Sequence, residues 1–156
     1  MANFLRTLEF LTMGLWLGSD VFLSFIVAPG AFHMLATRDQ AGIMVGFALT
    51  RMHIGGIICG VIFLVARLAR TRSFANLVTP AGLCVLVMIA ATLISQLAVS
   101  AKMAALRTQM GSIQATNADN PLLSEFSRLH SISVSLESVV LLAGVAAMFS
   151  LVREAA

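Results

Sequence analysis

Charge is scarce in this chain. Only 11% of its 156 residues are Asp, Glu, Lys or Arg, against 59% hydrophobic, whereas soluble domains carry roughly 25% charged residues. A soluble core of this length cannot hide so much apolar surface. The scarcity therefore excludes a soluble globular domain and predicts a single integral membrane domain over residues 1–156. The net charge of +3 is too small and too dispersed for a nucleic-acid footprint, so no nucleic-acid partner is expected. Cysteine is scarcer still. Cys59 and Cys84 both lie in apolar runs without CxxC spacing, which argues against a disulfide framework or a zinc site and leaves them as small packing residues. No nucleophile elbow, phosphate loop, zinc-protease motif, internal repeat or low-complexity tract occurs. No catalytic residue is assigned, and an enzymatic role is not the expectation.

What the chain has is long apolar runs. A spanning helix needs ~20 mostly apolar residues, and segments near 10–32, 42–66, 80–101 and 129–152 each supply one. The fold class that follows is all-α, a membrane-embedded four-helix bundle in contact with the lipid bilayer. The first run is longer than the apolar core of a signal peptide and is interrupted by Asp20, so it is expected to stay as a helix. Thr79-Pro80 and Asn120-Pro121 each place a capping side chain before a proline at the first helical position. Four crossings put both termini on one side. Arg67, Arg70 and Arg72, read as the connection between the second and third helices, join Arg6 and Arg153 there and make that side cytoplasmic. Gly14-x-x-x-Gly18 and Gly56-x-x-x-Gly60 permit close helix approach, within the bundle or across a homodimer face.

Each apolar run also carries a polar group that is costly in lipid: Asp20, His53, Gln96, and His130 with Glu137. Such groups face a bundle interior and mark sites. Helical spacing aligns Asp20 with Ser24. It aligns Thr92, Gln96, Ser100 and Met103 on the third helix, and His130, Ser133 and Glu137 on the fourth. With cytoplasmic termini, His53, Gln96 and His130 fall in the outer half, while Asp20 and Glu137 fall near mid-depth. Two histidines on facing helices suit axial ligation of a haem b, or a copper-type transition metal. In that reading His53, His130, Glu137 and Asp20 are metal-site residues, and His53, His130, Gln96 and Ser133 bind the cofactor. Two mid-membrane carboxylates, Asp20 and Glu137, equally suit a cation- or proton-coupled transporter. A third reading is an accessory subunit of a larger membrane complex. Beside all three stands a structural reading in which these groups only hydrogen-bond between helices. Trp16 is read as ordinary bundle or lipid contact, and Arg51, two residues from His53, as pointing the other way.

These residues resemble the transmembrane protein 205-like family. Gly14-Leu-Trp-Leu-Gly18 with Phe22, Ala28-Pro29 and Phe32 looks like the family's opening helix, Met52-His53-Ile54 like its second-helix histidine, and Phe126-x-x-Leu129-His130-x-x-Ser133 like its last-helix signature. The resemblance implies a small four-helix membrane protein without an established activity, expected as a multi-pass protein of the bacterial cytoplasmic (inner) membrane. It also implies that both helix-borne histidines share a site. The family pattern often has Asn seven residues after the last histidine, where this chain has Glu137. A carboxylate can ligate a cation or relay a proton in ways an amide cannot.

Overall fold

Every apolar run continues past its hydropathic limits in the computed structural model, which describes residues 1–155. The helices are α1 (Ala2–Met34), α2 (Arg38–Thr71), α3 (Pro80–Met110) and α4 (Pro121–Ala155). Each is long and apolar enough to cross a membrane. At ~1.5 Å rise per residue they reach about 50 Å, beyond the ~30 Å hydrocarbon core. The extra turns at their ends are polar, which is why hydropathy alone shortened them. No strand occurs among the described residues.

Two helices are not regular throughout. α1 passes through a π-helical segment at Leu23–Val27, and α3 through one at Ser95–Ser100. Such insertions shift the faces of the turns on either side and recur at functional sites. Both lie beside a polar residue of interest: one begins three residues after Asp20, and the other contains Gln96.

The helices stand in a ring. α1 packs on α2, α2 on α3, α3 on α4 and α4 on α1, while the two diagonal pairs make no direct backbone contact. Both termini lie at one end. At that end Arg6 donates to the carbonyl of Glu154, as four crossings require. The apolar core has two parts. Met13, Trp16, Phe63, Val85, Met88 and Val140 fill the half towards the termini. Val99, Leu106 and Leu129 fill a smaller part between α3 and α4 towards the other end. The outward faces are apolar, with Leu15, Phe25, Ile58, Val65, Leu97 and Leu142 among the exposed residues, as lipid contact demands.

Trp16 is core and makes no lipid contact; it is 1% exposed. Its indole lies against Gly56 and Gly60, where an added Cβ would meet its Cε2 at 2.5 Å and its Cζ3 at 2.7 Å. This glycine pair therefore serves packing within the bundle. At Gly14 and Gly18 nothing stands within 4 Å of an added Cβ. Gly56→Ala should push the indole out of place and destabilise the protein by about 1–3 kcal/mol, the usual range for overpacking. Gly14→Ala should cost nothing measurable. Thermal unfolding in detergent checks both.

The helix starts differ from each other. Asn120 caps α4, its Oδ1 accepting from the Leu122 amide at 2.9 Å. Thr79 makes no such cap on α3. Its hydroxyl instead donates to the Asn76 carbonyl at 3.0 Å and accepts from Arg67 at 2.6 Å. At the end away from the termini, the 111–120 connection is tied to the start of α2, where Asp39 accepts from the Ser112 hydroxyl at 2.6 Å and the Ile113 amide at 2.9 Å.

Candidate functional site

Between the two parts of the core lies a polar layer built from all four helices. α2 contributes His53, which is fully buried. Its Nδ1 meets Gln96 Oε1 of α3 at 2.9 Å, and its Nε2 meets Glu137 Oε1 of α4 at 2.7 Å. Because α2 and α4 are diagonal partners, the His53–Glu137 contact crosses the centre of the bundle. The same Glu137 oxygen accepts from the Ser95 hydroxyl of α3 at 3.2 Å. α1 contributes Asp20, fully buried, whose Oδ1 accepts from Ser24 at 3.3 Å. Asp20 is close enough to Glu137 and His53 for their charges to interact.

The arrangement is incomplete in an informative way. Asp20 Oδ2 and Glu137 Oε2 are both buried without a hydrogen-bond partner among the described residues. Of the two carboxyl groups, Glu137 contacts the imidazole and Asp20 contacts Ser24, and neither pairs with a Lys or Arg there. Fully ionised, the layer would carry one net negative charge in a low-dielectric interior, which is strongly unfavourable. Such a layer is balanced by one further proton or one cation. A short Nε2···Oε1 axis between a histidine and a carboxyl is also a path along which a proton changes owner.

Ser95 escaped the sequence reading for a physical reason. In a regular helix Ser95 and Gln96 differ by about 100° in direction. The π-helical segment that begins at Ser95 brings both hydroxyl and amide to the same layer.

The predicted residues divide into two groups. The structure brings His53, Gln96 and Glu137 together, with Asp20 beside them. His130 and Ser133 stand farther along α4 towards the 111–120 connection. Ser133 is buried and His130 is exposed, and His130 makes no hydrogen bond with His53, both of whose nitrogens are engaged elsewhere. Among the described residues no three His, Cys, Asp or Glu side chains are placed to hold one metal ion. His130 and Ser133 line a cavity of about 380 Å³ between α1, α2 and α4, which also touches Ser24 and reaches Glu137. Thr92 is buried within α3. Arg51 is exposed, its guanidinium over the Phe47 ring at 5.2 Å, pointing away from the site as expected. Cys59 and Cys84 are free thiols.

A second polar cluster was not foreseen. Arg67 and Arg70 lie within α2 and are not simply charges on a connecting loop. Arg67 is 1% exposed. It donates to Glu9 Oε2 at 3.2 Å, to both oxygens of Glu154 at 2.7 Å, and to the Asn76 carbonyl at 2.8 Å. Arg70 donates to Glu9 Oε1 at 2.7 Å. The network joins α1, α2 and α4 to the 72–79 connection at the terminal end. A signal for it existed. Four crossings place Glu9, Glu154 and the 67–72 arginines at one end, and opposite charges there are positioned to pair.

Fold and site together define a polytopic four-helix membrane protein with a buried acid–histidine–amide layer. The chain belongs to the family described as "Domain of unknown function (DUF4149)", which matches residues 11–112. That match takes in Asp20, His53 and Gln96. No curated protein and no solved structure matches the chain.

Proposed function

We propose that this protein is a proton-coupled membrane carrier in which Glu137 and Asp20 hold the transported charge and His53 is their counter-ion. The observation that carries the reading is the mismatch of a buried Asp20 and a partly buried Glu137 against one imidazole, with a buried carboxyl oxygen of each left unpartnered among the described residues. A purely structural polar core satisfies its groups. A site that loads and unloads a proton leaves acceptor capacity open.

Access supports the same reading. The cavity that Glu137 lines extends along α4 as far as His130, in the half away from the termini. The other half is filled by Trp16, Phe63, Met88 and Val140 and closed by the Arg67 network. A site reachable from one side at a time is what a carrier requires. The two π-helical segments border the layer on α1 and α3 and are natural places for a helix to change its packing.

Reconstituted liposomes containing a pH-sensitive dye test the proposal. Under an imposed pH gradient the protein should dissipate the gradient faster than empty liposomes, and Asp20→Asn should slow it. A rate equal to that of empty liposomes over a range of protein densities, and with candidate solutes added, would remove the proposal.

A second reading has one observation in its favour. The His130 imidazole makes no hydrogen bond among the described residues, and Met103 lines the same cavity as His130 near Arg107. Histidine and methionine together suit a haem iron or a soft metal ion. An absorption spectrum and metal analysis of gently purified protein test it. A Soret band or stoichiometric metal lost in His130→Ala supports it, and their absence counts against it.

A further inference from the structure

Resting on the carrier reading, we infer that the solute carried with the proton is a small amphipathic carboxylate, bound with its head at Arg107 and its apolar body between α2 and α3. The seat is a cavity of about 350 Å³, within the usual range for small-molecule sites. Arg107, His130, Ser133, Met103, Phe32 and Phe47 are among its lining residues. Its α2 wall includes Gly42 and Gly46, and the absence of a side chain at Gly42 leaves room for the Arg107 guanidinium, whose Nη2 lies 2.8 Å from where a Cβ would stand.

Charge is the main argument. Arg107 lies on α3 with its guanidinium in this cavity. It donates from Nη1 to the Gly42 carbonyl at 3.2 Å and leans over the Phe126 ring at 5.6 Å. Its buried Nε–H has no partner among the described residues. Asp39 meets its charge without a hydrogen bond to it, because the Asp39 oxygens are engaged by Ser112 and Ile113. A cation lining a mainly apolar recess, with no ion pair among the described residues, is a seat for an anion. A carboxylate is the natural match to a guanidinium edge. The rest of the lining is mainly apolar, so the anion must carry a hydrocarbon or aromatic body. The space suits one short chain and is small for a two-chain lipid.

Position couples this seat to the proton. His130 and Ser133 line both this cavity and the one that reaches Glu137. His130 also lines a third, more polar recess with Arg38 and Gln114 at the loop end. An anion entering there passes His130, reaches Arg107, and brings its charge within one helical face of the proton-holding carboxyls. Moving a carboxylate together with one proton makes the transported pair neutral, which lowers the cost of crossing a low-dielectric interior.

Octanoate binding to the full chain in phosphatidylcholine nanodiscs tests the inference separately from flux. Equilibrium dialysis with radiolabelled octanoate should show saturable binding, with no competition from octanol or octyltrimethylammonium. Arg107→Gln should weaken binding about tenfold or more, as loss of a charge-assisted pair implies, and Arg107→Lys should weaken it less. Glu137→Gln should keep octanoate binding while losing proton flux. Thermal unfolding confirms that each variant is folded. Octanoate binding that is unsaturable, matched by octanol, or unchanged in a folded Arg107→Gln protein would overturn the inference. So would loss of octanoate binding in phosphatidylglycerol nanodiscs, which would give the seat to a lipid headgroup. If octanoate binds as expected but no variant or condition shows proton movement, the seat stands and the carrier reading fails.

Discussion

Glu137→Gln should reduce proton flux in liposomes to the level of empty vesicles, a loss of about 10²-fold or more, the usual size for removing a proton-transfer group. The substitution is nearly isosteric. Its amide still reaches His53 Nε2 and the Ser95 hydroxyl, which lie at 2.7 Å and 3.2 Å from Glu137 Oε1. What it removes is the ability to hold and release a proton. The variant should therefore unfold at the parental temperature while flux disappears. His53→Gln should also lower flux, and it should lower stability as well, since it takes from Gln96 and Glu137 the partner that joins them across the bundle. Parental flux in a folded Glu137→Gln protein would end the carrier reading. A parallel loss of flux and folding would instead give Glu137 a structural role.

Arg67→Ala should have the largest effect on stability, about 3–5 kcal/mol, the range for breaking a buried ion pair by removing one partner. Arg67 is 1% exposed and Glu9 0%, so the substitution takes one of two guanidinium partners from a buried carboxylate, which keeps only Arg70. It also frees the Asn76 carbonyl, the Thr79 hydroxyl and Glu154. Arg67→Lys keeps the charge but not the multidentate fork, and should fall between parent and Ala. Arg67→Met should recover part of the loss by refilling the buried volume, while Arg70 keeps Glu9 neutralised. Thermal unfolding in mild detergent measures all three. An Arg67→Ala protein as stable as the parent would mean that the network contributes nothing, and the closed terminal end would lose its physical basis.

Much of this was legible in the sequence. Hydropathy set the four helices because a continuous apolar run of ~20 residues satisfies its own backbone groups in lipid as a helix, whereas barrel strands are shorter and alternate. Of the five out-of-place polar residues, His53, Gln96 and Glu137 meet in one layer with Asp20 beside them, and His130 stands apart. Helix ends were less legible, since polar turns continue past the apolar runs. The π-helical segment at Ser95–Ser100 was invisible, because it has no sequence periodicity of its own, and Ser95 was missed with it. Thr79 read as a cap, but the buried Arg67 claims its hydroxyl. A tertiary ion pair displaced a local motif. The shared alignment of His130 with Glu137 on one face of α4 suggested one chamber for both histidines. The diagonal geometry instead gives His53 the centre and leaves His130 at the cavities.

The most direct test of a proton-holding layer is infrared difference spectroscopy of the reconstituted protein across a pH change. The account predicts a carboxylic-acid carbonyl band that appears and disappears with pH, is lost in Asp20→Asn or Glu137→Gln, and shifts in His53→Gln. A spectrum with no titrating carboxylic-acid band, or one identical in all three variants, would contradict it.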